Sequence, residues 1–587
     1  MKNRIFDAAP AQTGGLHDAH RPAGLSDAHR PTGLSDAQYA AVCHQNGPAL
    51  VLAGPGSGKT TVIIARAVRI ACSLKSPDRL LCVTFTKNAG AEMGQRYLQA
   101  FSAPPAKHER PVFRTLHSFC NRLLLDEERK TGRHYTRIEG SADRRSLLLG
   151  QLYRQLNGEE ADSATLQRLS GWISRQAHAD ADPERTGKCL FEAQIRNFDN
   201  IYHSYCRIKA ENAYLDFDDM IFLARDILRR RTEVRDFWNG RFDYIQVDEG
   251  QDLSRAQFEI LYLIGRHTNL FVVADDDQSI YRFRGAEPAC VFEFVDTFPS
   301  CMTYHLEENH RSDGFVVKTA AALISHNQKR FEKRIYTKHG NGSPVLIRHF
   351  RTGREQARFT AETAMRFAAG GGSVGILYRN HLSAPLIRLM LQQAGVPYAV
   401  NGSAADPGET ELVREVLRKI RQAELDCHSF FVPKPVQTYR RLLRDGFLSQ
   451  CRAHCERTGK QPHAINGILE FIAYLCICSE SFAMCLQKLG QLGSDAAAES
   501  SQKKDTRITL STIHSAEGLE YDCVLLVDLV QGEFPGSSAA EDQLLEEERR
   551  LFYVAVTRAR HALYLLYPET RGDCDEQESM FLKECRQ

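Results

Sequence analysis

The chain has 587 residues, 43% of them hydrophobic and 25% charged, with a formal net charge of +2. That length predicts several separate cores, the composition excludes a fibrous or low-complexity protein, and the near-neutral charge excludes a globally basic surface. Any contact with a nucleic acid must therefore be local.

Seventeen scattered cysteines, the lack of a secretory N-terminal stretch and the lack of an apolar run of about 20 residues predict a cytoplasmic protein with reduced thiols and no membrane partner. Residues 1–33 hold a nine-residue repeat: GLHDAHRPA from Gly15, GLSDAHRPT from Gly24, and GLSDAQYAA from Gly33, which runs into the folded part. Gly and Pro in the units and the missing apolar face predict a disordered leader; metal binding by His17, His20 and His29 is the other reading.

The segment PALVLAGPGSGKTTVIIARAV reads as strand, glycine-rich turn and helix. Gly54, Gly56 and Gly58 let backbone N–H groups approach a phosphate chain at a helix N-terminus. Lys59 supplies charge for the β- and γ-phosphates, and the Thr60 hydroxyl suits Mg²⁺. The whole loop Ala53, Gly54, Pro55, Gly56, Ser57, Gly58, Lys59, Thr60 and Thr61 is the candidate ATP site, with Ala53 where the generic loop has its first glycine.

Strand-like runs follow at LLCVTFT (80–86), at Tyr244–Val247 within FDYIQVDEGQD, and at NLFVVAD (269–275). The second of these delivers Asp248, a candidate Mg²⁺ ligand, and Glu249, a candidate general base, to a strand's carboxyl end. The third runs into DDDQSIYRFRGA, where Gln278 and Arg284 can face a γ-phosphate while Tyr281 and Phe283 face something flat. Together these predict an NTP-hydrolysing α/β domain with its nucleotide at the carboxyl ends of parallel strands. VGILYRN, RITLST, CVLLVDL and HALYLLY predict a second parallel sheet. Between the sheet segments, 120–214 and 419–504 read as mainly helical. The second holds Cys451, Cys455, Cys476, Cys478 and Cys485, whose spacing fits a helix core better than a metal site.

An ordered set of motifs resembles the UvrD/Rep/PcrA group of superfamily 1 DNA helicases across nearly the whole chain: LSDAQYAAV, AGPGSGKTT, TFTKNAGAEM, RTLHSF, LDFDDM, VDEGQD, DDDQSIYRFRGA, LEENHRSD, LYRN, LSTIHSAEGLEYDCV and EEERRLFYVAVTRAR. The resemblance implies two RecA-like parallel-sheet motor domains of the P-loop NTPase class, each with a helical insertion. The first would comprise 34–119 and 215–300 with insertion 120–214, and the second 301–418 and 505–587 with a short insertion 419–504. It implies ATP and Mg²⁺ as cofactors, and a 3′→5′ single-stranded DNA translocase and helicase acting at duplex junctions with repair or replication proteins. An ATP-gated DNA-binding clamp or partner-regulated module that unwinds weakly or not at all is the alternative.

Residue by residue, the resemblance places Gln38 on the adenine edge, His310 on the adenine face, Glu520 on the ribose, and Arg311 and Arg558 at the γ-phosphate, with Arg558 as arginine finger. Phe85, His117, Tyr281, Phe283, Asn380, Thr512 and His514 become DNA contacts, motif III coupling them to the nucleotide. The chain departs from the family pattern at His310 (usually tyrosine), Gly250 (usually bulkier), Phe283 (commonly tryptophan) and Glu517 (usually lysine). The last motif ends close to Gln587, which is expected to leave no room for a fused nuclease domain.

Overall fold

A computed structural model describes residues 33–586 except 75, 102–104, 107–108, 141–142, 162, 182–194, 283–284, 403–410, 427–432, 448, 451–461, 499–505, 537–541 and 573. The nine-residue leader up to residue 32, Phe283, Arg284, Cys451 and Cys455 thus lie outside the described residues. The chain divides into two units: Met1–Glu307 with Phe331–Lys333, and Glu308–Arg330 with Arg334–Gln587.

The first unit is built on a six-stranded parallel sheet: β1 (Ala49–Ala53), β2 (Leu80–Thr84), β3 (Val112–Thr115), β6 (Tyr244–Val247), β7 (Asn269–Ala274) and β8 (Met302–Leu306), in the order β3-β2-β6-β7-β1-β8. Its central strands read as continuous apolar runs because helices cover both faces. Leu50, Leu52, Leu270 and Val272 point into one core, and Val51, Phe271 and Val273 point into the other. Two short strands, β4 (Thr136–Arg137) and β5 (Tyr214–Leu215), pair in parallel and bring together the ends of a helical segment. Its helices Arg144–Asn157, Ser163–Ala181 and Phe198–Glu211 pack Leu149, Leu152, Leu169, Ile173, Ile201 and Tyr205 into a core of their own.

The second unit holds β9 (Leu346–Thr352), β10 (Val374–Tyr378), β11 (Ala399–Asn401), β12 (Ile508–Thr512), β13 (Tyr521–Leu526), β14 (Ala559–Arg571) and β15 (Cys574–Asp575). The order is β11-β12-β10-β13-β14-β15 with β9 also on β14, and every pairing is parallel except β14 with β15. Helices Glu411–Leu425, Pro435–Arg444, Pro462–Ile477 and Phe482–Ala498 share its core, where Cys476 and Cys485 are buried free thiols. Among the described residues no helix is long and apolar enough to cross a membrane.

Candidate functional site

Parallel strands point their carboxyl ends to one edge, and in the first unit that edge gathers the candidate nucleotide groups. β1 ends at Ala53, the loop turns through Gly56 and Gly58 with φ of 66° and 81°, and a helix begins at Lys59. A left-handed backbone at both positions favours glycine, and Gly58 needs it twice over, since a Cβ there would lie 2.6 Å from Gln38 Nε2. Gln38 sits behind the loop: its Nε2 donates to the Ser57 carbonyl at 2.8 Å and its Oε1 accepts the Ser35 N–H at 2.9 Å. Ser57 Oγ donates to the Gly54 carbonyl and closes the turn.

β6 delivers Asp248 and Glu249 beside this loop. Glu249 has φ 51°, a left-handed conformation uncommon for a residue with a Cβ, and its Oε2 accepts from Lys59 Nζ at 2.6 Å and from Gln251 Nε2 at 2.8 Å. Gln278, after β7, brings its Oε1 to 3.4 Å from Lys59 Nζ, while its buried Nε2 has no hydrogen-bond partner among the described residues. Burial would lower the Lys59 pKa, but Glu249, Asp275 and Asp248 outweigh it and hold the ammonium charged. Burial first, and the Glu249 carboxylate second, push Asp248 up to about 7. A carboxylate under that strain, a hydroxyl at Thr60 and an orphaned amide donor fit a phosphate chain with a divalent cation.

The first unit carries three of the predicted DNA contacts, Phe85, Tyr281 and His117. Phe85, just past β2, stacks on Tyr281 with ring centroids 5.1 Å apart and planes at 29°. His117, in the first turn of helix Leu116–Thr131, meets the exposed Phe217 edge-on at 5.4 Å, and burial lowers its pKa toward the neutral ring. Gly250 packs so tightly that a Cβ would lie 2.6 Å from Val272 Cγ1, which accounts for the missing side chain in DEGQD.

In the second unit Arg311 and Glu520 come together at 2.7 Å, and Arg560 also bonds Glu520. These arginines hold Glu520 below the usual carboxylate range although burial opposes them. Arg558 is buried, with Nε on the Val554 carbonyl at 2.9 Å and one terminal nitrogen on Thr557 Oγ1 at 3.2 Å. Arg311 reaches the carbonyl of the same Thr557 at 3.2 Å, so the two predicted phosphate arginines are neighbours. His310 lies 3.6 Å from the Glu308 carboxylate, and burial lowers its pKa. Asn380 donates to Glu533 at 3.3 Å, Thr512 Oγ1 bonds Ser515 Oγ at 3.0 Å, and His514 opens the short helix after β12. Arg549, Arg550 and Arg560 of the last motif bond Glu584, Glu546 and Glu520 respectively.

Sequence reasoning assigned no role to Gln251 or Thr557. Each lies inside a quoted motif, but a role for a residue that touches only other protein groups leaves no mark in spacing. The chain matches the family described as UvrD/REP helicase N-terminal domain over residues 34–299, and that described as UvrD-like helicase C-terminal domain over 304–422 and 447–570. It is 28% identical to the ATP-dependent DNA helicase PcrA of Staphylococcus epidermidis over 93% of this chain and 85% of that protein. The corresponding figures are 28% over 91% and 82% for PcrA of Bacillus subtilis, and 26% over 90% and 81% for PcrA of Leuconostoc citreum. A parallel-sheet phosphate loop, its carboxylate pair and matches spanning both units establish that this chain belongs to the UvrD/Rep helicase family.

Proposed function

We propose that this protein is an ATP-driven motor that moves 3′→5′ along single-stranded DNA and separates strands at duplex junctions, in the cytoplasm, alongside repair or replication proteins. The observation that supports it most is the Lys59–Glu249–Gln278 cluster on the same sheet edge as the stacked Phe85–Tyr281 pair. Nucleotide chemistry and a platform for flat bases there share one rigid element, which suits a motor that must tie hydrolysis to base stacking.

In this reading the backbone N–H groups of the Ala53–Thr61 loop hold the phosphates and Lys59 exchanges Glu249 for a phosphate oxygen. The released Glu249 carboxylate then orients the attacking water and takes its proton. Thr60 and Asp248 would hold Mg²⁺, whose charge neutralises the phosphate oxygens. Gln278 and Arg284 sense the γ-phosphate, and Arg311 and Arg558 supply positive charge to the transition state, a contribution of ~10³–10⁵ in rate for such arginines. Gln38 and His310 are assigned to adenine and Glu520 to the ribose. Phe85, His117, Tyr281, Phe283, Asn380, Thr512 and His514 are assigned to single-stranded DNA.

The second reading, an ATP-gated clamp, is favoured by Glu517, a carboxylate between the DNA candidate His514 and the ribose candidate Glu520. ATP turnover measured with and without single-stranded DNA tests the primary reading. Strong stimulation is expected, and turnover indifferent to DNA contradicts it.

A further inference from the structure

The three aspartates that follow β7 surround a lysine from elsewhere in the chain. Lys333 Nζ lies 2.7 Å from Asp275 Oδ1, 2.7 Å from Asp276 Oδ1 and 2.9 Å from Asp277 Oδ2, and all four side chains are at most 1% exposed. Carboxylate oxygens of the three aspartates approach within 4.8 Å of one another, and the Lys333 ammonium, bonded to all three, offsets part of their mutual repulsion.

Lys333 arrives on a short excursion. Phe331–Lys333 belongs to the first unit, whereas the residues on both sides of it belong to the second. Phe331 fixes the excursion: its N–H donates to Asp276 Oδ2 at 2.8 Å and its ring stacks on Phe292 at 4.4 Å.

From this cluster a hydrogen-bonded path leads to the candidate base. The Asp275 N–H donates to Gln251 Oε1 at 2.8 Å, Gln251 Nε2 donates to Glu249 Oε2 at 2.8 Å, and the same Oε2 accepts from Lys59. Ser279 Oγ donates to the Gln251 carbonyl at 3.1 Å and ties the two loops again. Because the Asp275 N–H occupies the amide oxygen of Gln251, the amide nitrogen is turned toward Glu249. The Glu249 carboxylate therefore takes its orientation from the Asp275 backbone, and Lys333 holds that backbone through three carboxylates.

We propose that Lys333 is a positioning residue for ATP hydrolysis: by pinning the Asp275–Asp277 turn it orients Glu249 through Gln251, so that turnover depends on the 331–333 excursion staying in place. The proposal rests on the reading of Glu249 as the base.

The test uses the full chain with Lys333→Met, which keeps the length and removes the charge, and Lys333→Met/Asp276→Asn, which returns the cluster to its original net charge. Readouts are kcat and KM for ATP at saturating single-stranded DNA, with thermal unfolding in parallel. Lys333→Met is expected to lower kcat about tenfold or more, as misplacement of a catalytic group does, with KM within about threefold; the double variant recovers at least a third of the lost rate. A folded Lys333→Met with kcat within about twofold of the parent overturns the proposal, as does a double variant that regains stability but no rate. Should Lys333→Met not fold, Gln251→Met cuts the same path without touching the charges; it too must lose kcat at nearly constant KM, and an unchanged kcat overturns the proposal. Glu249→Gln, run alongside, separates the two claims: normal turnover in that variant removes the reading of Glu249 whatever the Lys333 variants do.

Discussion

Lys59 Nζ and Glu249 Oε2 stand 2.6 Å apart, so the lysine proposed to bind phosphate and the candidate base are held as an ion pair. A phosphate chain that takes the lysine must break that pair, which links nucleotide binding to release of the base.

Glu249→Gln removes the stronger half of the pair and the proton acceptor together. It is predicted to bind ATP at least as tightly as the parent and to lose ~10²–10⁴ in turnover. Nucleotide titration and single-turnover hydrolysis measure the two effects, and weaker ATP binding would contradict the exchange of partners.

Phe85 and Tyr281, both proposed to stack on DNA bases, lean on each other, so each ring positions the other. Either alanine variant is predicted to weaken single-stranded DNA binding by about 1–3 kcal/mol, with DNA-free ATPase retained. The double variant should lose less than the sum, since the rings share one contact. Fluorescence titration of a short oligonucleotide reads this directly; additive losses would mean the rings act separately.

Gly250→Ala places a Cβ against Val272 in a fully packed sheet. Overpacking of this kind costs about 1–3 kcal/mol, read as a lower urea midpoint. Val272→Ala in the same chain should return part of that cost, and a neutral Gly250→Ala would show that the strand yields freely.

Glu470 lies buried in the second unit, accepting the Arg354 N–H at 2.8 Å. Burial first, and Asp528 after it, push its carboxyl up to about 7 against the pull of Arg354 and Arg571. The folded state then binds more protons than the unfolded chain between the ordinary value of 4.5 and about 7, so stability falls as pH rises through that window. Glu470→Gln is predicted to be more stable than the parent above pH of about 8, by on the order of 1–3 kcal/mol. The difference should close as pH falls toward about 4.5. Thermal unfolding across that range checks it, and a constant difference would locate the effect in packing instead of ionisation.

How much of this was legible in the sequence depended on how local each signal is. β1, β2, β6 and β7 stood out because both faces of their sheet are covered and nearly every side chain is apolar. β8 (MTYHL) and β9 (LIRHFRT) did not, because exposed and polar positions interrupt them. Gln246 within β6 gave no sign of its role either: it accepts from the buried Arg66 at 2.9 Å, and that guanidinium lies 4.2 Å from the centre of the Phe271 ring. In the site, Lys59, Glu249 and Gln278 sit inside short motifs whose chemistry is readable. Lys333 with the aspartates, and Arg560 with Glu520, are joined only by folding, and no spacing announces such a pair.

The most direct test of the central claim is strand displacement with ATP on duplexes carrying a single-stranded tail at either the 3′ or the 5′ end. The account predicts displacement from the 3′-tailed substrate, none from the 5′-tailed one, and loss of activity in Glu249→Gln. Displacement from the 5′ tail alone, or DNA-stimulated hydrolysis with no displacement from either tail, would contradict it.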